Sequence, residues 1–246
     1  MKILAIPTKR VSVGDILFDI LASSLPATLE EGTIVCISSK IISLCEGRVK
    51  KISDVQKKDD LIIEESDYYL PRSYTPGSYV MHTIRDGILM SSAGIDASNS
   101  GEYYVLLPND SYSSAKEIYL WLKKRYALSS VGVVITDSRS MAFRRGVVGI
   151  SVGYYGFSAL NEYRGTSDLF GRKMKISRAN VVDSLASASV LAMGEGNEST
   201  PIALISEFDK VNFDIQEPLS DFHVPYNEDI QAPFFLHAPW KKGGKK

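Results

Sequence analysis

Apolar positions along this chain fall into short β-branched runs separated by stretches with helical spacing. Residues 1–6, 32–38, 103–108, 131–138, 146–153 and 201–205 each predict a strand, because branched side chains pack on a pleated surface with little loss of rotamer freedom. Leu17, Ile20, Leu21 and Leu25 recur at helical spacing between Gly14-Asp15 and Pro26. Further helices are predicted at 59–65, from Asp110 through Ile118, Leu120, Leu122 and Tyr126, and over 180–193, where Gly194 suits a left-handed cap. Residues 79–90 predict a hairpin turning at Asp86-Gly87, with His82 structural on one strand. Residues 68–79, with Pro71 and Pro76, predict an ordered loop. Beyond Phe208 the periodicity fades and prolines recur at 218, 225, 233 and 239. The expected organisation is a body over 1–208 with two lobes and no clean linker. An extension over 209–240 packs on the body or a partner subunit, and 241–246 is a disordered tail.

Composition narrows the class. A chain of 246 residues can bury a sizeable core, and 44% hydrophobic with 23% charged residues fits a soluble globular protein. With 28 Lys+Arg against 29 Asp+Glu, no net field favours nucleic acid or an anionic membrane. No apolar run approaches a membrane span. Cys36 and Cys45 form no CxxC, which argues against a zinc site or disulfide scaffold and fits a cytoplasmic location.

The candidate chemistry is oxygen-rich. The run 131–138 ends in Thr136-Asp137-Ser138, hard oxygens suited to Mg²⁺ or Mn²⁺ or, equally in kind, to a turn. Ser38-Ser39-Lys40 offers hydroxyls and a cation to phosphate, or is simply solvated. Asp96 and Asn99 supply a carboxylate and an amide after small residues, or form a capped turn. Arg139, Arg144 and Arg145 can steady phosphoryl oxygens or a carboxylate, or form a basic loop. Glu195, Asn197 and Glu198 add ligands or plain loop chemistry.

Together these stretches resemble the coenzyme F-420-0:γ-glutamyl ligases over about residues 6–205. The resemblance rests on Ser39-Lys40 through Glu46-Gly47-Arg48, on Ala93-Gly94-Ile95-Asp96 with Ser98-Asn99, and on Ile135-Thr136-Asp137-Ser138. Tyr163-Arg164-Gly165, Asp168-Leu-Phe-Gly-Arg172 and Met193-Gly194-Glu195 complete it. It implies an α+β protein with a mixed, two-lobed α/β fold and an intertwined homodimer. It implies a GTP- or ATP-dependent glutamate ligase, in which an acceptor carboxylate becomes an acyl phosphate and the amine of L-glutamate attacks it. Asp96, Asp137, Ser138 and Glu195 would hold two or more Mg²⁺ or Mn²⁺ ions. Ile6, Pro7, Thr8, Lys9, Ser39, Lys40, Asn99, Gly194 and Asn197 would meet the nucleotide. Asp137 and Arg144 would serve catalysis, and Arg139, Phe143, Tyr163 and Arg164 the acceptor.

The chain also departs from the family pattern. Leu44 and Cys45 stand where the family commonly has lysine and alanine. Ser138-Arg-Ser-Met-Ala-Phe-Arg144 replaces Thr-Phe-Gly-Arg-Pro-Trp-Arg, and Gly149 replaces an aspartate. The acceptor is therefore either coenzyme F-420 or another glutamyl-terminated molecule, extended as polyglutamate. The rival readings are an altered family member that binds nucleotide and regulates a partner, and a purely structural dimer.

Overall fold

A computed structural model describes residues 1–214, 217–219, 222–225 and 227–245. Strand β1 (Lys2–Ile6) leads to helix α1 (Leu17–Ser24), which begins after Ile16 and ends at Leu25, where Pro26 forbids a further turn. Strand β2 (Thr33–Ser38) turns directly into helix α2 (Ser39–Cys45). Strand β3 (Val49–Lys51), helix α3 (Lys58–Glu64) and strand β4 (Tyr68–Tyr69) follow. The predicted ordered loop then carries two 3₁₀ turns. Strands β5 (His82–Arg85) and β6 (Ile88–Ser91) form the predicted hairpin, with Asp86 at φ 51° and Gly87 at φ 74°, the left-handed pair that a two-residue turn requires.

Strand β7 (Tyr103–Val105) stops short of Pro108. Helix α4 (Ser111–Tyr126) starts at Asp110, whose carboxylate accepts from the Tyr112 and Ser113 N–H groups at 3.0 Å. Lys123, Lys124 and Arg125 suit the negative end of its dipole. Strands β8 (Val131–Ser140) and β9 (Val147–Tyr155) form a long hairpin, and β10 (Leu160–Glu162) and β11 (Arg178–Asn180) a projecting arm. Helix α5 (Val181–Met193) is capped by Asn180, which accepts from the Asp183 N–H. Gly194 has the expected positive φ of 81°, but its ψ of 167° is an extended geometry in place of the expected left-handed cap. Strand β12 (Ile202–Ser206), a short helix α6 (Ala232–Phe235) and strand β13 (Lys241–Lys242) complete the chain.

The protein is α+β. Its main sheet has the order β1-β12-β2-β8-β9, antiparallel except for the parallel β2–β8 pair. Both faces are apolar, which is why β2 and β8 read as unbroken hydrophobic runs rather than alternating ones. Val35, Ile37, Val133 and Ile135 pack with Ile118 and Leu122 of α4 on one face. Ile34, Cys36 and Val134 pack with Val182 and Leu185 of α5 on the other. A smaller apolar cluster of Leu61, Ile62, Met81 and Ile95 joins α3 to a second sheet of order β13-β4-β5-β6. Burial pushes the Cys36 thiol up to about 12, so it acts as a small core hydrophobe.

Two expectations need correction. The run 131–138 does not end at Thr136-Asp137-Ser138, since β8 continues to Ser140. A bulge intervenes instead: Ile135 pairs with Gly153 but Thr136 with Ser151, leaving Val152 without an opposite residue. The tail 241–246 is not disordered over its described part. Lys241–Lys242 pairs with β4, and the Lys245 ammonium contacts Asp86. Lys246 lies outside the described residues, as do 215, 216, 220, 221 and 226 of the expected extension.

Candidate functional site

The ends of β1, β2 and β8 open on the same side of the main sheet as the loop after α5. Between them is a cavity of about 570 Å³. Thr8 and Lys9 enter it from the end of β1, and Ser39 and Lys40 from the start of α2. Asp96 and Asn99 enter from the turn after the β5–β6 hairpin, and Asp137 and Ser138 from β8. Gly194, Glu195 and Asn197 close it from beyond α5.

Hydrogen bonds tie the loop after α5 to the other segments. Asn99, at φ 53°, donates from its side-chain amide to the Gly196 carbonyl at 2.7 Å. The Thr8 N–H donates to the Ser199 carbonyl at 3.0 Å. The loop after α5 is fixed by Glu198, whose carboxylate accepts from the Gly196 N–H at 2.8 Å. A side chain at Gly194 would meet that carboxylate at 2.4 Å, and its positive φ excludes most residues in any case.

The acids differ in state. Burial alone would raise the Asp96 carboxyl, but the Lys40 ammonium at 2.5 Å, together with the Ser98 hydroxyl and N–H, outweighs it and holds the group at about 2. Both Asp96 oxygens are thereby engaged. Burial pushes Asp137 the other way, up to about 7. The Ser138 N–H and Lys40 lower it, while the charges of Asp96 and Glu195 raise it further. The Ser138 hydroxyl lies 3.4 Å from a Glu195 carboxylate oxygen.

Among the described residues, no group of three or more His, Cys, Asp or Glu side chains is close enough to hold an ion unaided. The donor types nevertheless suit a hard divalent cation. Asp137 lacks a direct cationic partner, Glu195 and Ser138 are adjacent, and every donor is oxygen. Asp96 joins such a set only in competition with Lys40.

The remaining candidates lie elsewhere. Ile6 is buried in the core opposite Ile202, and neither it nor Pro7 lines the cavity. Phe143 is fully exposed at the β8–β9 turn, where Arg144 is also exposed. Tyr163 and Arg164 lie on the β10–β11 arm, with Arg164 paired to Glu162 at 2.5 Å. Arg139 faces a second cavity, away from the other three acceptor candidates. Several motif residues are structural: Glu46 accepts from Asn109 N–H and the Ser114 hydroxyl, Arg48 pairs with Glu65, and Asp168 holds a turn through Phe170 and Arg172 N–H groups. The sequence reading missed Arg10 and Val11, which line the cavity, and treated Leu44 only as a departure although it forms part of the wall.

The family model described as F420-0:Gamma-glutamyl ligase matches residues 5–207. The chain is 33% identical to a Coenzyme F420:L-glutamate ligase of Methanopyrus kandleri, over 83% of this chain and 86% of that protein. It is 30% identical to one of Halobacterium salinarum, over 85% and 88%, and 29% identical to one of Haloarcula marismortui, over 81% and 84%. No helix of the described residues is long and apolar enough to cross a membrane.

Proposed function

The chain belongs to the F420-0:gamma-glutamyl ligase family, and from that premise we propose that it joins an acceptor carboxylate to the amine of L-glutamate at the expense of a nucleoside triphosphate. The observation that carries this reading is the meeting of Asp96, Asp137 and Glu195 with Lys9, Arg10 and Lys40 around one cavity. Clustered carboxylate and hydroxyl oxygens suit divalent metal, and cations beside them suit phosphate.

Asp137, Ser138 and Glu195 would hold Mg²⁺ or Mn²⁺, with Asp96 joining as Lys40 turns to phosphate. Metal bound there supplies charge neutralisation for phosphoryl oxygens. Lys9, Arg10 and Ser39 orient the triphosphate of GTP or ATP. The acceptor carboxylate takes the terminal phosphoryl group, releasing nucleoside diphosphate. The glutamate nitrogen then attacks the acyl carbon, an amide bond forms, and phosphate leaves. Walls drawn from five segments keep water from competing for that acyl phosphate.

The relatives' names make coenzyme F-420 the first acceptor to test, with a glutamyl-terminated molecule as the alternative. We further propose that the main sheet and the smaller sheet act as two lobes, and that the protein is a homodimer. Leu169 at 100%, Phe170 at 90% and Ile176 at 87% exposure leave the β10–β11 arm apolar and uncovered. Leu44 in the cavity wall favours the rival reading of a nucleotide-binding regulator, because an apolar side chain there gives phosphate nothing.

Turnover separates the two. With Mg²⁺ or Mn²⁺, GTP or ATP, L-glutamate and acceptor, the expected product is heavier by glutamyl units in the mass spectrum. Asp137→Ala should remove glutamate-dependent release of GDP or ADP by at least a hundredfold while the protein stays folded by circular dichroism. Unchanged turnover in that variant would refute the assignment of Asp137, and nucleotide binding without any turnover of the wild type would favour the regulator.

A further inference from the structure

A second cavity, of about 650 Å³, lies between the β5–β6 hairpin, β9 and the described part of the C-terminal extension. Its distinctive member is Arg139. Strand alternation puts Arg139 on the same side of β8 as Asp137, about 7 Å further along. The pairing of β8 with β9 is regular between these two residues. Asp137 lines the first cavity and Arg139 the second, so the two spaces adjoin along one strand.

The Arg139 Nε is buried without a hydrogen-bond partner. A buried donor left unsatisfied is costly, and a guanidinium is built to grip a carboxylate or phosphate through paired N–H groups. Among the described residues, three carboxylates share the cavity, and each accepts a backbone N–H. Asp67 accepts from the Asp86 N–H at 2.7 Å, Asp183 from the Ser151 N–H at 2.9 Å, and Asp229 from the Gln231 N–H at 2.7 Å. Lys245 is spent on Asp86. The lining also includes the apolar side chains of Leu89, Ile150, Phe222 and Phe235, together with polar groups such as Asn180 and Lys242. The His223 ring is fixed by the Tyr112 hydroxyl, 2.8 Å from its Nε2. A guanidinium with an unsatisfied N–H beside aromatic side chains suits an anionic molecule with a flat body that is part polar and part apolar.

We propose that this second cavity binds the acceptor, with an anionic group on Arg139 and the body between the hairpin and the extension, so that the reacting carboxylate reaches the Asp137 edge of the first cavity. The proposal rests on the ligase reading and adds where the acceptor lies and what holds it. Arg139 is thus a specificity residue, and described residues from Phe222 to Phe235 contribute to the binding site.

Equilibrium dialysis tests this with coenzyme F-420 as the probe and GTP as the control ligand, on the wild type, Arg139→Ala and Leu89→Trp. Removing the guanidinium should raise the Kd for coenzyme F-420 tenfold or more, and the indole should do the same by filling the cavity. The Kd for GTP should stay within twofold in both, which also reports that the variants are folded. Wild-type affinity in Leu89→Trp, or in a folded Arg139→Ala, would overturn the proposal, as would failure of the wild type to bind the probe. The ligase reading fails on a separate measurement, the absence of glutamate-dependent nucleotide turnover in the wild type.

Discussion

Asn99 combines two properties that few residues share. It sits at φ 53°, where most side chains are strained, and its amide reaches across the cavity mouth to Gly196. Asn99→Ala should destabilise the protein by about 1–2 kcal/mol through both losses. Asn99→Gly removes only the bond, so it should cost about 1 kcal/mol or less. Denaturant titration reads the total, and hydrogen exchange should show faster opening of residues 97–101 and 194–199 in both. Equal protection in wild type and variants would mean that the bond does not join the loops. At this scale the sequence was informative about oxygen donors, because Asp96, Asp137 and Glu195 each have a glycine or hydroxyl residue within two positions. It was silent about Arg10, which sits in an aperiodic connection tied to the loop after α5 by the Thr8–Ser199 contact. Ile6 shows the reverse case: one step before Pro7, it turns into the core.

Elements meet closely where α5 crosses β9. A Cβ on Gly149 would lie 2.5 Å from the Ala186 carbonyl and 2.6 Å from Val190, and the Ser187 hydroxyl donates to the Gly149 carbonyl at 2.6 Å. Gly149 is paired with Ser138, so this contact also sets where Ser138 stands. Gly149→Ala should therefore lower stability by about 1–3 kcal/mol through overpacking, read as a fall of several degrees in Tm. A Tm equal to that of the wild type would show that α5 can move aside freely. The helices were legible in the sequence because their apolar spacing and caps agree, as at Asp110 and Asn180. The β9 bulge was not. Val152 is an ordinary apolar residue in an apolar run, and nothing local distinguishes an unpaired residue from a paired one. Strand β13 was hidden for a similar reason, since Lys241-Lys242 carries no strand propensity and pairs with the exposed edge of β4.

For the whole molecule, two apolar faces on one sheet explain the order of strands and helices, and that much followed from unbroken runs such as 131–135. The β10–β11 arm leaves Leu169, Phe170 and Ile176 in water. If the proposed homodimer buries it, Phe170→Glu combined with Ile176→Glu should convert the protein to a monomer by light scattering, with little change in the monomer's own circular dichroism. A dimer that persists in that double variant would place the subunit contact elsewhere.

The Asn99–Gly196 bond spans 97 positions of the chain, and the first cavity draws its walls from near both ends of the body. No fragment of the chain can assemble such a chamber, so occupancy is coupled to the folding of the entire body and not to one local segment. A bound nucleotide held at a hundred times its Kd should thus add about 2.7 kcal/mol against global unfolding. Resistance to heat becomes a direct gauge of which small molecules this protein accepts.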